Sequence, residues 1–207
     1  MIQRAEIPRK SVYRLSIYQR CLMKLLDNGI ITVSSEALAK AAGVKSSQLR
    51  KDLAHCGQFG TRGLGYNVDN LNRKIDEILG TTRLRPVILI GAGNLGSALL
   101  RYDGFTKEGF EIAAAFDISP AKAKERGIVV LVLPMEQLEK FIKENDVKMA
   151  ILCVPAHSAQ SVVNNMVGAG IQAILNFSPV VLQVPPHVTV SNVDLAVELE
   201  NLSYFIR

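Results

Sequence analysis

The chain has 207 residues, 48% of them hydrophobic, enough for one large or two small globular cores, and no apolar run approaches the ~18 residues of a membrane span. Arg4, Arg9, Lys10, Arg14 and Arg20 open the chain without a following apolar block, so a cytoplasmic location is expected; Cys21, Cys56 and Cys153 stand far apart, which excludes a disulfide framework and a zinc site. The net charge of +5 divides unevenly: residues 1–85 hold 15 Lys+Arg against 7 Asp+Glu, a net of +8, whereas residues 86–207 hold 9 against 12, a net of −3, so a polyanionic partner is expected for the N-terminal part.

Residues 11–28 (SVYRLSIYQRCLMKLLDN) place Val12, Leu15, Tyr18, Leu22, Leu25 and Leu26 at three- and four-residue spacings, which predicts an amphipathic helix ended by Gly29. Ser34 or Ser35 can cap a second helix, with Leu38, Ala41 and Ala42 facing inward. Past Gly43, a third helix begins near Ser46 (SSQLRKDLAH), with Leu49 and Leu53 as its buried stripe. Its outer face carries Ser46, Ser47, Gln48, Arg50 and Lys51, donors suited to base edges and phosphates in a major groove. Two short helices joined by a glycine turn, the second one basic, form a helix-turn-helix over about residues 17–55. CGQFGTRGLGYNV predicts a glycine-tipped ribbon over about residues 57–68, with Arg62 at its tip placed to enter a minor groove. Residues 1–80 therefore read as a winged-helix DNA-binding domain, closed by a linking helix over 70–79, with a linker at 81–85.

RPVILIGAGNLGSALL then supplies a strand, a glycine turn and a helix, with Gly91, Gly93 and Gly96 in GxGxxG register. Gly91 permits the turn, Gly93 admits the pyrophosphate, and Gly96 lets the helix pack on the sheet; Ala92 and Asn94 complete the loop, and Leu95 suits packing better than chemistry. EIAAAFD forms a second strand ending at Asp117, 21 residues after Gly96, where a carboxylate accepts from adenosine ribose hydroxyls and favours NAD(H). An apolar run at 127–133, a helix over 135–145, a strand over 148–154, a helix over 158–170 and a strand and turn over 173–180 continue the alternation. A doubly wound parallel sheet of Rossmann type is expected over 86–191, with Val154, Pro155, Asn176, Phe177, Ser178 and Pro179 lining the ligand crevice at the strand ends.

Too little chain remains after Gly96 for a substrate domain, and no Tyr-x-x-x-Lys pairing stands at a strand end, so no catalytic residue is expected. A small NAD-dependent oxidoreductase, or a regulator binding CoA or an adenine nucleotide on the same fold, are the rival readings. Ser191 or Asn192 can cap a last helix within 192–207, where Leu195, Leu199, Leu202 and Ile206 form a stripe widened by Ala196, Val197 and Phe205. Such a helix needs a groove, either its own domain's or that of a second subunit in an exchanged dimer; both remain open.

The order of IPRKSVYRLSIYQRCL, SSQLRKDL, GQFGTRGLGYNV, VILIGAGNLGSAL, GIQAILNFSPV and NVDLA resembles, over essentially the whole chain, the Rex family of redox-sensing transcriptional repressors. The resemblance implies a homodimer whose C-terminal helix crosses to its partner, bound to a pseudo-palindromic double-stranded operator and released by NADH. It implies DNA contacts from Arg50, Lys51 and Arg62, cofactor contacts from residues 91–96 and Asp117, and a nicotinamide near residues 176–179. It also implies a switch in which Asp194 pairs with Arg20 in the DNA-bound form and with Tyr102 when NADH is bound. His55 and Cys56 depart from the aromatic pair common in the family before the wing glycine.

Overall fold

A computed structural model describes residues 7–57, 60 and 64–206, the side chains of residues 124 and 125 apart. The chain divides into two compact units, Met1–Arg83 and Leu84–Arg207.

In the first unit, helix α1 (Arg9–Asp27) buries Leu15, Tyr18 and Leu22, the stripe that the three- and four-residue spacing predicts. A two-residue strand β1 (Thr32–Val33) follows, then α2 (Ser35–Ala41), capped by Ser34, whose Oγ accepts from the Ala37 N–H at 3.1 Å. Helix α2 buries Leu38 and Ala39 rather than Ala41; it ends at Ala41, which faces solvent. Helix α3 (Ser46–Ala54) buries Leu49 and Leu53, as expected, and with them Asp52; Lys45, not Ser46, occupies its cap.

Strand β2 (Tyr66–Asn67) pairs antiparallel with β1, Val33 opposite Tyr66. β1 carries no alternation of its own to announce it, because two residues are too few. The wing tip, with Arg62, lies outside the described residues. Helix α4 (Val68–Leu79), capped by Asn67, is no linker: it lays Val68, Leu71 and Ile75 against α1 and completes the core with Leu15, Tyr18, Leu22 and Leu49. Each such aliphatic side chain contributes about 1.5–3 kcal/mol by leaving water.

The second unit is a six-stranded sheet, all parallel, in the order β5-β4-β3-β6-β7-β8. Its strands are β3 (Arg85–Ile90), β4 (Phe110–Asp117), β5 (Val132–Pro134), β6 (Met149–Leu152), β7 (Ala173–Asn176) and β8 (Thr189–Asn192). Helices α8 (Leu138–Glu144) and α9 (Ala156–Ala169) close one face through Leu138, Ile142, Val163 and Met166. Helices α5 (Asn94–Leu100), α6 (Gly104–Lys107) and α7 (Pro120–Glu125) lie on the other, where Leu99, Phe105 and Ala123 meet Val87, Leu89 and Ile151. This is the doubly wound sheet that the alternation of strands and helices predicts.

Three local expectations change. The apolar run at 127–133 yields only the short edge strand β5, reached after a turn. The segment before the last helix is strand β8, with Asn192 beside Asn176. The last helix, α10 (Leu195–Ser203), is capped by Asp194, whose Oδ1 accepts from the Ala196 N–H at 3.0 Å and the Val197 N–H at 3.3 Å, because Ser191 and Asn192 are held in β8. None of the residues of α10 is buried. Among the described residues no helix is long and apolar enough to cross a membrane.

Candidate functional site

In a parallel sheet all carboxyl ends meet at one edge, and the glycine turn, Asp117, Val154 and Asn176 stand there because each follows directly on β3, β4, β6 or β7. Gly91 has φ +93°, and a methyl group on it would come within 2.5 Å of the Cys153 carbonyl oxygen. Only glycine lets β3 turn so close to β6. Gly96 is packed still more tightly against the Gly91 backbone, so α5 starts directly on the sheet. Gly93 is the opposite case: a methyl group there would touch nothing of the chain. The space above Gly93 is open, and no side chain caps α5, so the first-turn amides keep their donors for a ligand. That is the cradle a dinucleotide pyrophosphate requires.

Asp117 is fixed at the edge of this cradle. Its Oδ2 accepts from the Ala92 N–H at 2.8 Å and its Oδ1 from the Ser119 N–H at 2.7 Å. The carboxylate is thus aimed, with lone pairs left for ribose hydroxyls. Two residues that the sequence reading passed over brace the same loop: Ser97 Oγ donates to the Ala92 carbonyl at 2.8 Å, and Arg126 Nη1 donates to it at 2.9 Å. Ser97 follows the last glycine of the motif and could have been suspected from that position. Arg126 is 34 residues from Ala92 and carries no local signal. Leu95 is 39% exposed, so packing covers most but not all of it.

The 176–179 turn is built around Asn176, which is 1% exposed. Its Nδ2 donates to the carbonyls of Ser178 and Val180, both at 3.1 Å, and to Asn192 Oδ1 at 2.9 Å, while its Oδ1 accepts from the Ser178 N–H at 2.9 Å. Ser178 Oγ donates to the Val154 carbonyl at 2.6 Å. Asn176 and Ser178 therefore spend their polar groups on the turn, and what they offer a ligand is its shape. An open cleft of about 400 Å³ lies beside it, lined by Ser178, Pro179, Val180, Val193, Asp194 and Val197 among others. The glycine loop does not line this cleft. Pro155 and His157 are exposed, and Phe177 is half-buried.

Of the expected switch residues, Arg20 is exposed on α1 and Asp194 serves as the cap of α10. Tyr102 is 61% exposed, its ring edge-on to Phe105 at 5.1 Å. Among the described residues Tyr102 and Asp194 make no hydrogen bond with each other.

In the first unit, Ser47, Arg50 and Lys51 are exposed on α3 and Ser46 is half-buried. Arg50 Nη1 donates to Ser35 Oγ at 3.0 Å and lies 3.5 Å from Glu36, a solvent-exposed pairing easily exchanged for a phosphate. Gln48 turns inward, its Nε2 donating to Asp52 Oδ1 at 3.0 Å. Asp52 is fully buried and also accepts from Arg14 Nε at 2.6 Å, Arg14 Nη2 at 2.7 Å and the Tyr18 hydroxyl at 2.8 Å. Against the cost of burial, these donors hold the Asp52 carboxyl well below its ordinary value. Sequence reading missed Asp52, since a polar residue in a basic helix reads as surface.

The cysteines are poor thiolates. Burial pushes the Cys56 thiol up to about 11 and the Cys153 thiol up to about 12. Iodoacetamide at pH 8 is expected to alkylate both at least about 100-fold more slowly in the folded than in the unfolded chain. Mass spectrometry of timed samples reads this; equal rates would show that Cys56 is an open, reactive thiol.

A family model described as "CoA binding domain" matches residues 82–180, and one described as "Putative DNA-binding protein N-terminus" matches residues 6–54. Proteins named redox-sensing transcriptional repressor Rex match nearly the whole chain. The one from Pelotomaculum thermopropionicum is 47% identical over 96% of this chain and 93% of its own, and the one from Desulfitobacterium hafniense is 48% identical over 96% and 95%. Among solved structures, RSP in complex with β-NAD+ and operator DNA superposes with a TM-score of 0.88 at 39% identity, covering 98% of this chain and 93% of that one. RSP in complex with β-NADH gives 0.83 at 38% identity, covering 98% and 95%.

Proposed function

Because the chain belongs to the Rex family of redox-sensing transcriptional repressors, we propose that it is a homodimeric, cytoplasmic repressor that binds double-stranded operator DNA and is released when NADH binds. The observation that carries this reading is the union, in one chain, of a basic helix-turn-helix with a glycine cradle whose aspartate is already aimed. The loop amides of residues 91–96 and the Asp117 carboxylate hold NAD(H). The 176–179 turn, with Val154 and Pro155, shapes the nicotinamide end. Ser46, Ser47, Gln48, Arg50, Lys51 and Arg62 meet DNA, with the Gln48 amide oriented by its tie to Asp52. Arg20, Tyr102 and Asp194 serve as the switch, the last by leaving or keeping its cap on α10. The cofactor is an effector here, and no residue acts as a catalyst.

The mechanism is linkage. Oxidised nicotinamide is cationic and the reduced ring is neutral, so a site lined by Val154, Phe177, Pro179 and other apolar groups distinguishes them by charge. Whatever factor NADH takes from DNA affinity, DNA must take from NADH affinity. Fluorescence titrations at several NADH/NAD+ ratios, against a duplex selected by the chain from a randomised pool, test this. NADH is expected to weaken DNA binding by about 5–150-fold, with an equal reciprocal effect. DNA affinity indifferent to the redox form would overturn the proposal. The family model named for CoA binding supports a second reading, a CoA-responsive regulator; calorimetry in which CoA binds and NADH does not would favour it.

A further inference from the structure

We infer that Asp52 is the positioning residue of DNA recognition: its saturated carboxylate sets the rotation of α3 against α1 and the direction of the Gln48 amide. The inference rests on the DNA-binding reading of the first unit and says which buried group makes that surface specific. Both oxygens of Asp52 are doubly engaged, Oδ1 by Arg14 Nη2 and Gln48 Nε2, Oδ2 by Arg14 Nε and the Tyr18 hydroxyl. Ser11, itself buried, steadies the arginine by accepting from Arg14 Nη2 at 3.3 Å. The partners stand four residues apart on each helix: the donors Arg14 and Tyr18 on one face of α1, and the donor Gln48 with the acceptor Asp52 on one face of α3. One carboxylate thus joins two helix faces at a fixed azimuth.

Leu49 and Leu53, which flank Asp52 in the core, cannot do this alone. Apolar contact is non-directional and lets one helix roll on another with little loss. A side-on, two-bond arginine fork is directional in plane and distance. A roll of α3 would break it and would swing Ser47, Arg50 and Lys51 away from the groove they face. Buried ion pairs in general add more to register than to stability. An ionised carboxylate has only acceptors, so the amino group of Gln48 must face it. The Gln48 carbonyl oxygen is then left as an acceptor without a partner among the described residues, a defined signal for a base amino group rather than a freely flipping amide.

The test separates positioning from folding. Replacing the buried group with apolar residues, Arg14→Met and Tyr18→Phe with Asp52→Leu, removes the directional bonds, leaves no buried hydroxyl unpaired and keeps the core filled, an exchange that leaves stability unchanged or raised. Tyr18→Phe removes one bond alone. Two duplexes are used with the full chain: one selected by the wild type from a randomised pool, and a scrambled duplex of equal length. The triple variant is expected to melt no lower than the wild type and to keep its scrambled-duplex affinity and salt dependence. Its preference for the selected duplex is expected to fall at least about tenfold, the weight of one good base contact. Tyr18→Phe shifts the same ratio in the same direction and serves alone should the triple variant not fold. Partial unfolding would lower both affinities together and leave the ratio alone. Variants as selective as the wild type overturn the inference; a wild type that prefers no duplex overturns the DNA-binding reading itself.

Discussion

Gly91→Ala is expected to destabilise the second unit and abolish dinucleotide binding, whereas Gly93→Ala is expected to leave the fold intact and weaken NADH binding by about 100-fold, roughly 3 kcal/mol. The two residues are two positions apart and the added methyl is the same, so only the surroundings differ. At Gly91 the methyl meets the Cys153 carbonyl at 2.5 Å with φ at +93°, a clash with backbone that no rotamer relieves. Left-handed backbone and overpacking each cost about 1–3 kcal/mol. At Gly93 the methyl projects into the open space above the loop, where the pyrophosphate must sit. Thermal unfolding and calorimetric titration read the two effects separately. A Gly93→Ala chain should also remain on its operator at high NADH, an uncoupled repressor. If it bound NADH with wild-type affinity, the pyrophosphate would not lie on this loop.

Placing aspartate at both Leu199 and Phe205 is expected to convert a dimer to a monomer and to lower operator affinity by about 100-fold or more. Helix α10 has nine residues, too few to persist on propensity alone, yet none is buried within its own unit. The large apolar residues of α10 and of the chain just past it run from 46% exposed at Val197 to 83% at Tyr204, with Leu195, Leu199, Leu202, Phe205 and Ile206 between. That many exposed large apolar residues close together in the chain mark an interface. A second copy offering the same helix closes the pair by two-fold symmetry, and a pair carries two α3 helices, one for each half-site of a palindrome. Losing the partner makes each half-site a separate, weak event. Sedimentation measures the mass, and binding to the selected duplex measures the cost. A double variant that stays dimeric would place the dimer contact elsewhere.

The glycine loop was legible because its meaning is local: strand, turn and helix follow one another, and the confirming Asp117 lies one strand away. The helix-turn-helix was legible for the same reason, with Ser34, Leu38, Leu49 and Leu53 in register. Misreadings fell where a residue's role depends on partners far along the chain. Helix α4 looked like a linker because its amphipathic pattern does not say that α1 receives it. Strand β8 was missed because a four-residue edge strand becomes a strand only by pairing with β7. Asp194 was foreseen as a switch but not as a cap, since Ser191 and Asn192 had first to be taken up by that strand.

The order of side chains alone thus determined the class of fold, the basic half and the glycine loop, because hydrophobic period, charge and turn chemistry act between near neighbours. Tertiary structure decided that Asp52 is a buried acceptor for Arg14, Tyr18 and Gln48, that Asn176 is a brace, and that α10 finds no groove in its own unit. Burial is a property of the whole packed chain, and a carboxylate's role changes from solvated charge to structural acceptor only when distant donors are folded around it.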